Sequence, residues 1–232
     1  MGLSVEDVLG QIAAWHKARP LYKENLWSWL IDNRYNRAQL KELARQYGII
    51  PMHNHNYHGR LYIVCPDPKW RARIAEVCYE EGTGRLYAGG KPHWQLYMAF
   101  CKGLGLTEEE AWRPEYIPEA VMFRSYYSDI CGRNFLEGVS AHMLGGEAMA
   151  PGTMSRIAEA FKEKHGLSDA EVEFFVVHDT ADADHSNVGR ELMNQFAPTA
   201  HDRELVLKTV KRHMGIAFNL YEAIHAAAVR AA

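Results

Sequence analysis

"FFVVHDTADADHSN", residues 174–187, sets two histidines and three aspartates directly behind an apolar run from Phe174 to Val177. Two readings are open: a charged helix surface that contains histidines, or a set of inward-facing ligands. An α-helix turns about 100° per residue, so with His178 at zero, Asp182 falls near +40° and His185 near −20°. The same arithmetic sends Asp179 to about +100° and Asp184 to about −120°, where both can stay solvated. Phe174 and Phe175 straddle the face of the triplet and turn it toward a core. A carboxylate buried beside two imidazoles costs several kcal/mol unless a cation or a closed hydrogen-bond network compensates it.

The rest of the chain supports a helical setting. Its 232 residues, 47% hydrophobic, suffice for one large core, and a single domain over 1–232 is the expectation. Basic and acidic residues number 26 and 29 for a net charge of −3, too balanced to attract nucleic acid or an anionic membrane. Cys65, Cys78, Cys101 and Cys131 show no paired spacing, no apolar run is long enough to span a bilayer, and "MGLSVEDVLGQ" is acidic where a secretion signal is basic. A soluble cytoplasmic protein is expected.

Periodicity predicts helices over roughly 4–18, 20–33, 36–48, 52–64, 68–81, 92–104, 107–112, 118–145, 151–165, 168–195 and 201–230. Only "GRLYIVC", 59–65, has a strand-like look, and helical patterns flank it. Ser168 with Glu171 and Thr107 with Glu110 form capping boxes, while Gly48, Gly82, Gly105 and Gly166 mark helix ends. "GTGRLYAGGKP", 82–92, lacks the preceding strand and the Gly-Lys-Ser/Thr ending of a phosphate loop and reads as a flexible hairpin between helices.

Further acids and histidines fall on apolar faces. In "WRARIAEVCYEEG" the face of Ile74, Val77 and Cys78 carries Glu81 inward and sends Glu80 outward. His93 opens the next helix, on the face of Leu96, Tyr97, Phe100 and Leu104, where it can sit beside Glu81. In "FLEGVSAHMLGGEAMAPG" the face of Phe135, Val139, His142, Met143 and Gly146 ends at Glu147, and Gly145 and Gly146 leave room for another group to approach. Glu147 alone reads equally as an ordinary helix-end carboxylate. Three carboxylates and three histidines from separate helices suit two divalent irons or manganeses, with positions left open for dioxygen. Zinc and calcium suit that mixture less well.

The order Glu81, His93, Glu147 with "AMAP", then His178-x3-Asp182-x2-His185 behind "FF", resembles the heme-oxygenase-like diiron oxidases and oxygenases, a branch of the superfamily of the TenA thiaminases and PqqC. The likeness runs from about residue 20 to 220 and includes "CPDPKWRARIAEVCYEEGTG" and "HWQLYMAFCKGLGL". It implies an all-α fold, a compact heme-oxygenase-like (TenA/PqqC-like) bundle of about seven main helices. It also implies Glu81, His93, Glu147, His178, Asp182 and His185 as ligands of two ferrous ions, with dioxygen as co-substrate. The thiaminase branch uses a cysteine where this chain has Gly145, Gly146 and Glu147, which disfavours thiamine degradation. One diiron branch consumes its own tyrosine and has a lysine where Ile157 stands, so self-sacrificing chemistry is not expected.

Other residues invite roles. His53, His55 and His58 in "PMHNHNYHG" have no acid nearby to close a metal shell; on a helix His55 and His58 share a face, as substrate contacts or a polar surface. His142 reads as a satisfied core histidine. Arg124, with Tyr126 and Tyr127, reads either as a surface charge or as the anchor of a substrate carboxylate. Trp27 and Trp29 read as core packing. The leading expectation is an oxygen-dependent diiron enzyme acting on a small molecule, an amino acid or related carboxylate, by desaturation, C–C cleavage or N-oxygenation. A metal-free oxidase of the PqqC type and a non-enzymatic helical binding protein are the alternatives, and a homodimer is the assembly such bundles often form.

Overall fold

The computed structural model describes residues 2–18, 25–146, 153–181 and 185–231, without the side chains of 180, 181 and 185–187. Thirteen α-helical segments and no strand occur among them. They are α1 (Val5–Ala18), α2 (Leu26–Ile31), α3 (Arg37–Tyr47), α4 (Asn54–Val64), α5 (Pro68–Thr83), α6 (His93–Leu104) and α7 (Glu108–Trp112). After these come α8 (Pro118–Arg133), α9 (Phe135–Val139), α10 (Thr153–His165), α11 (Asp169–Ala181), α12 (His185–Phe196) and α13 (Ala200–Arg230). A 3-10 turn, Pro51–His53, leads into α4, and a π-helical stretch, Ser140–Gly146, continues α9. None of the described helices is long and apolar enough to cross a membrane.

Local chemistry sets the helix ends. Thr107 with Glu110 closes a capping box at α7, and the Glu171 carboxylate accepts from Ser168 ahead of α11. Gly105 and Gly166 take the left-handed conformation that stops a helix. Gly82 stays inside α5; the stop is Gly84, at φ +62°, where a Cβ would lie 1.9 Å from the Lys91 carbonyl oxygen. The predicted helix over 118–145 breaks at Asn134, whose extended backbone ends α8 while its side chain accepts from Glu137 N–H to start α9. Of the predicted helix over 168–195, the described residues form α11 and α12.

The apolar faces meet in one large cluster and a smaller one. The large cluster includes Leu96, Tyr97, Phe100 and Leu104 of α6, Phe174 and Phe175 of α11, and Phe161 of α10. α11 packs between α6 and α10, α4 packs on α5 and α8, and α13 lies along α3 and the π stretch. Val8, Ile12, Leu144, Met193 and Val210 form the smaller cluster, where α1 and α12 join α13. Gly103 lets α11 come close to α6, for a Cβ there would stand 2.8 Å from the Glu171 side chain.

Candidate metal centre

Glu81, near the end of α5, and His93, at the first residue of α6, come together because the intervening connection folds back: His93 Nδ1 lies 3.1 Å from Glu81 Oε1. His178 arrives from α11, its ring 4.8 Å from that of His93 and 4.3 Å from that of Phe174. One donor atom from each of the three lies within 4.8 Å of the others. His178 Nδ1–H donates to the Phe174 carbonyl at 2.7 Å, which leaves Nε2 as the lone-pair nitrogen. Both ring nitrogens of His93 are buried without an aligned hydrogen bond.

Burial works against charge on Glu81, but the close approach of the His93 ring and the positive potential of His58, His93 and His178 outweigh it and hold the carboxyl below its ordinary pKa. Burial likewise opposes charge on His93, and Glu81 and Glu80 outweigh it in the other direction. Of the other residues predicted to join this site, Glu147 and Asp182 lie outside the described residues. His185 is the first residue of α12 and its side chain is not described.

Glu80 does not point into solvent as helical phase predicts. It is 5% exposed, because the 84–92 connection returns over it: its carboxylate accepts the N–H groups of Leu86, Tyr87 and Ala88 at 2.6, 3.1 and 3.0 Å. That connection is tied down and is not a free hairpin. Val77, expected on the inward face, is exposed, and Trp70, Ile74 and Cys78 form that face instead.

Beside the cluster runs a buried polar file. Tyr127 of α8 hydrogen-bonds His142 Nδ1, and His142 Nε2 lies 2.6 Å from His58 Nε2. Tyr127, His58 and His142 are all buried. His55, expected to share a face with His58, is exposed, and only His58 turns inward. Arg124 makes no ion pair or hydrogen bond with any described residue; its charge acts on His53, Tyr57 and Tyr116 around it. Burial, then Arg124 and His55, push the His53 pKa down to about 4.

His213 escaped the sequence reading. It is 1% exposed on α13, with its ring 4.8 Å from Tyr127 and 6.0 Å from Phe123, and it fills the space left by the missing side chain of Gly145. Its place on the apolar face of Val210 and Ala217 was the available signal. Trp27 packs edge-on against Tyr47 and Tyr221, as core packing requires.

A carboxylate and two imidazoles gathered from separate helices inside an all-helical bundle form the type of core site that carboxylate-histidine metalloproteins build. Residues 41–216 match the family described as iron-containing redox enzymes, and the chain belongs to it. A 4-aminobenzoate synthase of Nitrosomonas europaea is 23% identical over 220 residues, covering 90% of this chain and 87% of the relative. A solved protein of Shewanella denitrificans with a heme oxygenase-like fold superposes with a TM-score of 0.73 at 14% identity, covering 95% of this chain and 91% of the other. A TenA homologue of Pseudomonas syringae pv. tomato gives 0.71 at 10% identity, covering 99% and 94%. The fold is thus the heme-oxygenase-like, TenA-like bundle, with more helical segments than seven because several are short or interrupted.

The residues present fit iron. Two donors bound side by side at about 2.1 Å from a divalent cation stand roughly 3 Å apart, close to the separation of Glu81 Oε1 and His93 Nδ1. A histidine whose Nδ1–H is fixed by a backbone carbonyl, as His178 is, presents Nε2 as an oriented ligand.

Proposed function

We propose that the protein is a dioxygen-dependent non-heme iron oxidase or oxygenase acting on a small amino acid or related carboxylate. The observation that carries this reading is the convergence of Glu81, His93 and His178 in a chain belonging to the iron-containing redox enzymes. Glu147, Asp182 and His185 are the further ligands that would complete a pair of ferrous ions. The Nitrosomonas relative is named for making 4-aminobenzoate, an amino carboxylate. Ile157 is fully buried among apolar groups, which disfavours the lysine-dependent, self-sacrificing variant of the chemistry.

Bound iron supplies dioxygen activation and the oxidising power. This chain's own groups bind, orient and shield. Arg124, free of any carboxylate partner among the described residues, is the anchor for the substrate carboxylate, which a guanidinium binds through two parallel hydrogen bonds. His58, His142 and Tyr127 form a hydrogen-bonded file along which a proton can move beside the cluster. Phe174, Tyr97 and Phe100 wall the cluster on the α6–α11 side and keep bulk solvent out.

Anaerobic ferrous titration tests the reading: uptake near two ions per chain is expected, with dioxygen consumption on adding amino carboxylates. Asp182→Ala should abolish the full stoichiometry and Asp184→Ala should leave it. Wild-type protein without specific iron uptake would return the site to a metal-free oxidase or a binding protein.

A further inference from the structure

The Glu80 carboxylate has two clients. Both its oxygens serve the backbone of the 84–92 strap, and Oε1 also faces His93 Nε2 at 3.5 Å, an ion-pair distance inside a buried site. His93 therefore stands between two acids, Glu81 at Nδ1 and Glu80 at Nε2. When a metal-binding imidazole gives one nitrogen to the cation, its other N–H needs an acceptor, which fixes the ring and raises its donor strength. Glu80 is the acceptor available to Nε2, and it is already fastened to three strap amides.

We propose that Glu80 is a positioning residue that orients His93 for metal and, through the same carboxylate, couples metal binding to the order of the strap over residues 84–92. This rests on the iron reading above. With His93 Nδ1 engaged as a ligand, the ring proton would stay on Nε2, tighten its hold on Glu80 and so fix the carboxylate under the Leu86, Tyr87 and Ala88 amides. The strap has a second tether, the ion pair of Lys91 with Glu173 on α11, which does not pass through His93. Leu86 and Tyr87 are exposed on the outer side, so the strap is positioned to loosen outward from the cluster when that grip weakens.

The test is amide hydrogen exchange across 84–92, without metal and with ferrous ion under anaerobic conditions, alongside iron affinity. In wild type, ferrous ion is expected to slow exchange at Leu86, Tyr87 and Ala88. Glu80→Gln, which keeps an acceptor but loses the second charged oxygen, is expected to bind iron about 10- to 100-fold more weakly. It should also lose the metal-linked protection at saturating iron. Glu173→Gln should speed strap exchange yet keep wild-type iron affinity and the metal-linked response, which separates strap loosening from His93 positioning. Wild-type affinity in Glu80→Gln, or iron binding to wild type that leaves the three amides unchanged, overturns the inference while the iron reading stands. Absence of iron uptake by wild type overturns both.

Discussion

His53 shows how one neighbourhood sets the charge state of a residue. Burial first, then the positive charges of Arg124 and His55, lower its pKa to about 4 from an ordinary 6.5. Between those values the unfolded chain binds a proton that the folded chain refuses, so stability is full above pH 6.5, falls as pH drops toward 4, and levels below. Urea denaturation across that range should show the fall, and Arg124→Met should make it shallower by letting the His53 pKa rise. A flat pH profile would contradict the environment described. Gly84 is a second single-residue constraint: Ala there meets both a left-handed backbone and the Lys91 carbonyl, and thermal melting should show a loss of about 2 kcal/mol or more. Side-chain phase explained Glu81 and Leu96 from the sequence, but not Glu80, whose burial comes from a chain segment returning from tertiary structure.

Helices were legible where their periodicity and caps agree, as in α6 and α7, and illegible where an apolar pattern runs across a break. Asn134 with Glu137 three residues on carried a start signal inside "GRNFLEG", but the continuous apolar face of 118–145 masked it. The π stretch leaves no compositional mark, since it adds a residue to a turn without changing which residues are apolar; its consequence is the placing of His142 against His58 and Tyr127. The junction that holds this file together is Gly138, where a Cβ would stand 2.7 Å from Leu61 Cδ2 and 3.0 Å from the Ile130 carbonyl oxygen. Gly138→Ala should therefore push α4 from α9 and cost about 1–3 kcal/mol in chemical denaturation. The ring signals of His58 and His142 in NMR should shift with it, and native stability with unmoved signals would refute that packing.

Across the whole molecule, the cluster joins helices far apart in the chain: α5 and α6 follow one another, but α11 begins 76 residues after His93. Spacing alone predicted that Glu81 could meet His93, because one connection separates them. That His178 reaches the same point depends on α11 lying in the groove between α6 and α10, which Phe174, Phe175 and Gly103 make possible. An ion held there binds only the folded chain, since unfolding separates the three donors, and by mass action it stabilises the fold by about 2.7 kcal/mol at a hundredfold excess over its dissociation constant. Anaerobic thermal melts should accordingly move up with ferrous ion, and Glu81→Ala should erase the rise. Asp179→Asn should keep it, because Asp179 turns to Ser155 at 2.6 Å, outside the donor cluster. A shift that survives Glu81→Ala would mean that the stabilising ion binds elsewhere, and equal losses in both variants would mean that α11 packing, not ligation, links His178 to stability.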